Sequence, residues 1–81
     1  MGRRDRLKRD LLAGRIPTDA PIGDVEALYR EAGWSRRDTE GSHYHFVKEH
    51  HVTITVTVHG GKANKSALKD LARALREAEG E

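Results

Sequence analysis

Val52-Thr53-Ile54-Thr55-Val56-Thr57-Val58 is the most regular stretch of the chain. Aliphatic and hydroxyl side chains alternate at every step. In extended backbone successive side chains point to opposite faces, so the stretch predicts a strand with a buried aliphatic face and an open threonine face. Gly60-Gly61 end it. Upstream, His43 to Glu49 reads as a second strand, Glu40-Gly41-Ser42 as the turn before it, and Trp34 to Thr39 as a third. The links between them are of hairpin length, so the three strands form an antiparallel sheet.

Helical stripes flank this sheet on both sides in the sequence. Ile22, Val25, Leu28, Tyr29 and Ala32 recur at 3.6 residues per turn and stop at Gly33, while Leu68, Leu71, Ala72 and Leu75 make a second stripe that starts at Asn64 or Ser66. A third, shorter and basic helix spans residues 3–13 with Leu7, Leu11 and Leu12, and ends at Gly14. Residues 14–21 hold Pro17, Thr18, Asp19 and Pro21, which is turn chemistry, and are expected to be a linker. The fold class is thus α+β, with helices covering one face of a three-stranded antiparallel sheet and the other face open. Residues 1–20 form a basic helical extension with its linker, and residues 21–81 an α-β-β-β-α domain.

Composition narrows the function classes. A chain of 81 residues makes one domain with a thin core and no room for a cofactor-sized cavity, so no cofactor is expected. Fifteen Lys and Arg against thirteen Asp and Glu leave a net charge of +2, which suits a protein that meets a polyanion without requiring it. The absence of cysteine excludes disulfides and thiolate-metal frameworks and points to a reducing compartment. No apolar run has the length of a signal-peptide core or a membrane span, so the protein is read as cytoplasmic with no membrane partner.

Strand parity distributes the histidines. Tyr44 and Phe46 share the inward face, which turns His43 and His45 outward, and inward valines on the next strand turn Thr53, Thr55, Thr57 and His59 to that same open face. Acid–base chemistry is one use of such a surface, because histidine takes and gives protons near neutrality. RNA would be an apt substrate, since its 2′-hydroxyl supplies the nucleophile. Surface histidines without a task are the blander use, and on pattern alone that reading leads. Metal binding is the weakest, because no Cys or well-placed carboxylate completes a ligand set. His50 and His51 fall in a turn and are expected to be solvated. Gly60-Gly61-Lys62-Ala63-Asn64-Lys65-Ser66 places two lysines at a helix start, where free N–H groups and the dipole favour an anion such as phosphate. A plain turn with solvated lysines competes evenly with it. Arg3, Arg4, Arg6, Lys8 and Arg9 read as a solvated helix face.

The run Gly41-Ser42-His43-Tyr44-His45-Phe46 resembles the Gly-Ser-His-His-apolar-Phe signature of the HicA (YcfA-like) mRNA interferase toxins, preceded here by an amphipathic helix ending in Gly33-Trp34. Gly60-Gly61-Lys62-Ala63 and Leu12-Ala13-Gly14 are similar to segments of the longer members of that family, which carry an N-terminal helix. Tyr44 departs from the pattern by replacing the second histidine of the usual pair. The resemblance implies a double-stranded-RNA-binding-like fold, metal-independent endoribonuclease activity on mRNA, and a HicB-type antitoxin that covers the active face. It places His43 at the catalytic position, makes His45 and His59 helper positions, leaves the choice between His43 and His45 open, and assigns Ser42, Lys62 and Lys65 to RNA binding. The alternatives are a non-catalytic RNA-binding module of the same fold and a protein-interaction domain that uses the threonine-rich face.

Overall fold

Each helix forms where an apolar stripe meets a stop signal. The computed structural model describes residues 2–37 and 39–80. Its elements run α1 (Arg3–Leu12), β1 (Asp19–Pro21), α2 (Ile22–Glu31), β2 (Ser35–Arg36), β3 (His43–Val47), β4 (Ile54–His59), β5 (Lys62–Asn64) and α3 (Lys65–Glu79). Gly14 and Gly33 take the left-handed backbone just past α1 and α2, with φ of 83° and 91°, a conformation that side chains with a Cβ resist. Asn64 caps α3 by accepting the Ala67 N–H at 3.0 Å. Behind Gly33, the Lys48 ammonium donates to the Ala32 carbonyl at 3.0 Å, a cation on the negative end of α2.

The sheet has five antiparallel strands in the order β1-β5-β4-β3-β2, not three. β2, β3 and β4 are the three expected strands, each shorter than its sequence pattern; Asp38, inside the first of them, lies outside the described residues, as do Met1 and Glu81 at the ends. The additional strands come from segments read as linker and turn. Gly60 and Gly61, with φ of 58° and 75°, form the two-residue turn of a hairpin in which His59 faces Lys62, and the positive φ at both positions is that of a type I′ turn. The returning strand β5 then pairs with β1, whose Asp19, Ala20 and Pro21 oppose Asn64, Ala63 and Lys62. Pro21 has no N–H to give, and the ladder continues through Ile22 N–H, which donates to the Gly61 carbonyl at 2.9 Å.

The core lies between the helices and one face of this sheet. Phe46, Val56 and Ala63 are its fully buried strand residues, Ala20 and Ala63 bring the short strands in closely, and Leu28, Leu68 and Leu71 meet them from α2 and α3. Tyr29 stacks on Phe46 with ring centroids 4.3 Å apart and meets the edge of Trp34 at 5.9 Å. Leu11 of α1 is fully buried in the same cluster, so the N-terminal helix contributes to the core. Three of its five basic residues reach α2: Arg3 bonds Asp24 at 2.7 Å, and Arg4 and Lys8 both reach Glu31. No helix among the described residues is long and apolar enough to cross a membrane.

Candidate functional site

The alternation expected from the sequence is realised on the two central strands. The register sets His43 opposite Thr57 and His45 opposite Thr55, with the buried Phe46 and half-buried Tyr44 opposite Ile54 and Val56 on the other face. His43, His45, Thr55, Thr57 and His59 therefore share the face that carries no helix. Val52 does not follow the aliphatic pattern; it is 88% exposed because the β3–β4 hairpin begins pairing only at Ile54, and residues before that belong to its loop. Thr53 likewise lies in the loop rather than on the strand.

Local backbone presents His43. Glu40 and His43 exchange both backbone hydrogen bonds across Gly41-Ser42, and Gly41 takes φ of 59° at the first turn position, as a type II′ turn requires. The Ser42 carbonyl accepts the Val58 N–H at 2.7 Å, which locks the turn onto β4 and fixes His43 as the first residue of its strand. Ser42 and His43 are both exposed. His45 is partly covered, and its Nδ1 lies 3.0 Å from Thr55 Oγ1, a cross-strand bond that orients the ring and leaves Nε2 without a partner among the described residues. His59 is exposed one strand step beyond Thr57 and faces Lys62 of β5. Lys62 thus belongs to the sheet and extends the histidine face, whereas Lys65 is the first residue of α3. The two lysines do not share a helix start as the sequence suggested, because the Gly60-Gly61 turn opens a strand. Neither has an ion-pair partner among the described residues.

The two remaining histidines are elsewhere. His50 takes φ of 66° in the loop and is solvated. His51 is exposed in the same loop, as expected, and also makes contacts: its ring meets the edge of Trp34 at 5.3 Å, with Nδ1 2.8 Å from the Glu49 carbonyl and Nε2 3.6 Å from Glu77 of α3. It borders a concavity of about 320 Å³ between α3 and the start of β4, which none of His43, His45 and His59 lines. The histidine site is accordingly an exposed face rather than a cleft, a shape suited to an extended polymer. No group of three His, Asp or Glu side chains able to hold a metal ion occurs among the described residues.

No curated protein and no solved structure matches the chain. The model of one family does, that of the HicA toxin of bacterial toxin–antitoxin systems, over residues 22–79. That span runs from the first residue of α2 to the last of α3 and contains the whole histidine face, with α1 and β1 lying before it. The chain belongs to the HicA family, the toxin components of bacterial toxin–antitoxin systems, and a cognate antitoxin is its counterpart.

Proposed function

We propose that this toxin is a metal-independent endoribonuclease that cleaves mRNA on the open sheet face, with His43 as the acid–base group. The observation that carries the proposal is the placement of His43: exposed, at a strand start fixed by two turn hydrogen bonds, and two residues from a second histidine whose ring is already oriented. In RNA cleavage the 2′-oxygen bonds to phosphorus while the bond from phosphorus to the 5′-oxygen breaks. His43 takes the proton released by the 2′-hydroxyl, and His45 gives one to the departing 5′-oxygen through Nε2. The products are a 2′,3′-cyclic phosphate and a 5′-hydroxyl, and each histidine ends in the other's starting protonation state. Same-face neighbours two residues apart on a strand lie about 6.6 Å apart at their Cα atoms, a span that a phosphate group fits. His59 is a helper at the edge, and Ser42, Lys62 and Lys65 contact the RNA backbone. A HicB-type antitoxin, covering this face in the cytoplasm, would silence the toxin by excluding RNA.

Expression of the chain without an antitoxin tests this. Growth should arrest and mRNA be cut by the parent, while His43→Ala, folded by circular dichroism, should lose about two to four orders of magnitude in cleavage rate. Equal cleavage by His43→Ala overturns the assignment, and loss of activity in EDTA with recovery on zinc overturns the metal-independent chemistry. A protein that binds RNA but never cuts it would be the non-catalytic module.

A further inference from the structure

Arg36 and Arg37 are adjacent and chemically identical, yet the sheet assigns them opposite fates. Ser35 opposes Val47 and Arg36 opposes Phe46, and the same register continues one residue further, because the Arg37 N–H donates to the His45 carbonyl at 2.8 Å. Arg36 therefore falls on the helix side. There its guanidinium binds Glu26 of α2 at 3.0 Å and lies 5.4 Å from the centre of the Tyr44 ring. Arg37, by parity, falls on the open face beside His45. It is exposed and, like Arg6, Arg9 and Arg76, has no ion-pair partner among the described residues, but those three sit on α1 and α3 whereas Arg37 lies on the open sheet face.

Resting on the function proposed above, we infer that Arg37 holds an RNA phosphate, and that the substrate strand crosses the sheet obliquely from β2 to β5. The register orders the open face into three rows. Arg37, His45 and Thr55 form the first, His43 and Thr57 the second, and His59 with Lys62 the third. Rows are two residues apart, about 6.6 Å, and strands about 4.8 Å apart. His43 then lies on the order of 8 Å from Arg37 and 12 Å from Lys62, measured between backbones, with one unpaired cation on each side. A guanidinium suits the outer position, since its planar donors grip a phosphate in two-point fashion. The sequence conceals this: Arg36-Arg37 looks like one basic pair, and only the pairing with β3 tells which arginine reaches the face.

The test compares two substitutions that remove the same charge one residue apart. Binding of a fluorescein-labelled, mixed-sequence single-stranded RNA is measured by anisotropy at several salt concentrations, with His43→Ala present throughout to prevent cutting. Arg37→Gln should make the log–log salt slope shallower by about 0.7, the loss of one phosphate contact, and Arg37→Lys should largely restore it. Arg36→Gln should leave the slope unchanged. Equal slope changes in the two Gln variants would show a diffuse field and no contact, and unchanged slopes in both would leave Arg37 a solvated surface residue; either overturns the inference while the proposed function stands. Absence of RNA binding by the parent would bring down both.

Discussion

The two faces of the sheet are made by the same strands and share almost no chemistry. On the helix side, Phe46 and Val56 are sealed among leucines and aromatic rings. One residue away on the same backbone, His45, Thr55 and Thr57 lie on the face that no helix covers, and His45 Nδ1 meets Thr55 Oγ1 across the strands at 3.0 Å. Period-two alternation lets a very small protein place its apolar core on one face and its histidines and hydroxyls on the other, so that neither set need compromise the other. Substitutions on the two faces should accordingly separate stability from activity.

The largest effect should come from Phe46→Ala. Removing a fully buried ring that stacks on Tyr29 costs about 3–5 kcal/mol, a large part of the roughly 5–15 kcal/mol that holds a domain together. Urea denaturation should show a midpoint shift of that size. A loss under about 1 kcal/mol would mean the inner face is not where stability lies.

Tyr29→Phe should shift stability in the opposite direction. The Tyr29 hydroxyl is buried and has no hydrogen-bond partner among the described residues, so its removal deletes an uncompensated polar group and should raise stability by about 1 kcal/mol. Burial, with the nearby Asp70 carboxylate adding and Arg73 opposing, pushes the phenol well above its ordinary value. In alkali the unfolded chain releases this proton first. As far as this phenol is concerned, the stability of the folded protein is therefore undiminished below about pH 10 and falls as pH rises above it, by up to about 1.4 kcal/mol per unit, until the folded phenol itself ionises. Melting curves between pH 8 and 11 should fall less steeply for Tyr29→Phe than for the parent; parallel curves would show that the hydroxyl is solvated.

Much of this division could be read in the sequence, and the parts that could not have a common cause. Alternation in residues 43–47 and 54–58 is a local property, so the faces of His43, His45, Phe46 and Val56 followed from it directly. β1 and β5 are three residues each, too short for a period, and β1 includes Pro21; they exist because the Gly60-Gly61 hairpin brings Ala63 against Ala20. The fates of Arg36 and Arg37, the Thr55 bond to His45 and the His51–Trp34 contact depend on register or on loop course, which are non-local. Asn64 shows the limit of parity. It continues the alternation of Lys62 on β5, yet its side chain is drawn into capping α3. Asn64→Ala should consequently cost about 1 kcal/mol in thermal or urea unfolding, an effect of the sort expected from the inner face. No loss would place Asn64 with the open face after all.

The smallest change in stability and the finest test of the comparison is Thr55→Val. Valine keeps the branched shape that a strand favours and removes the hydroxyl that holds His45 Nδ1. Thr55 is exposed, so unfolding should shift by no more than about 0.5 kcal/mol. Its cost should appear in the chemistry. If His45 delivers the proton to the 5′-oxygen, a ring without its tether spends less time in the productive orientation, and loss of one hydrogen bond corresponds to a rate reduction of roughly three- to tenfold. A double-mutant cycle isolates this cause, because Thr55→Val should add nothing once His45→Ala has removed the ring it orients. An equal reduction in both backgrounds would mean that Thr55 acts on RNA directly. No reduction in either would leave His43 to work without an oriented partner, and the bond between Thr55 and His45 would then be a cross-strand contact of the ordinary structural kind.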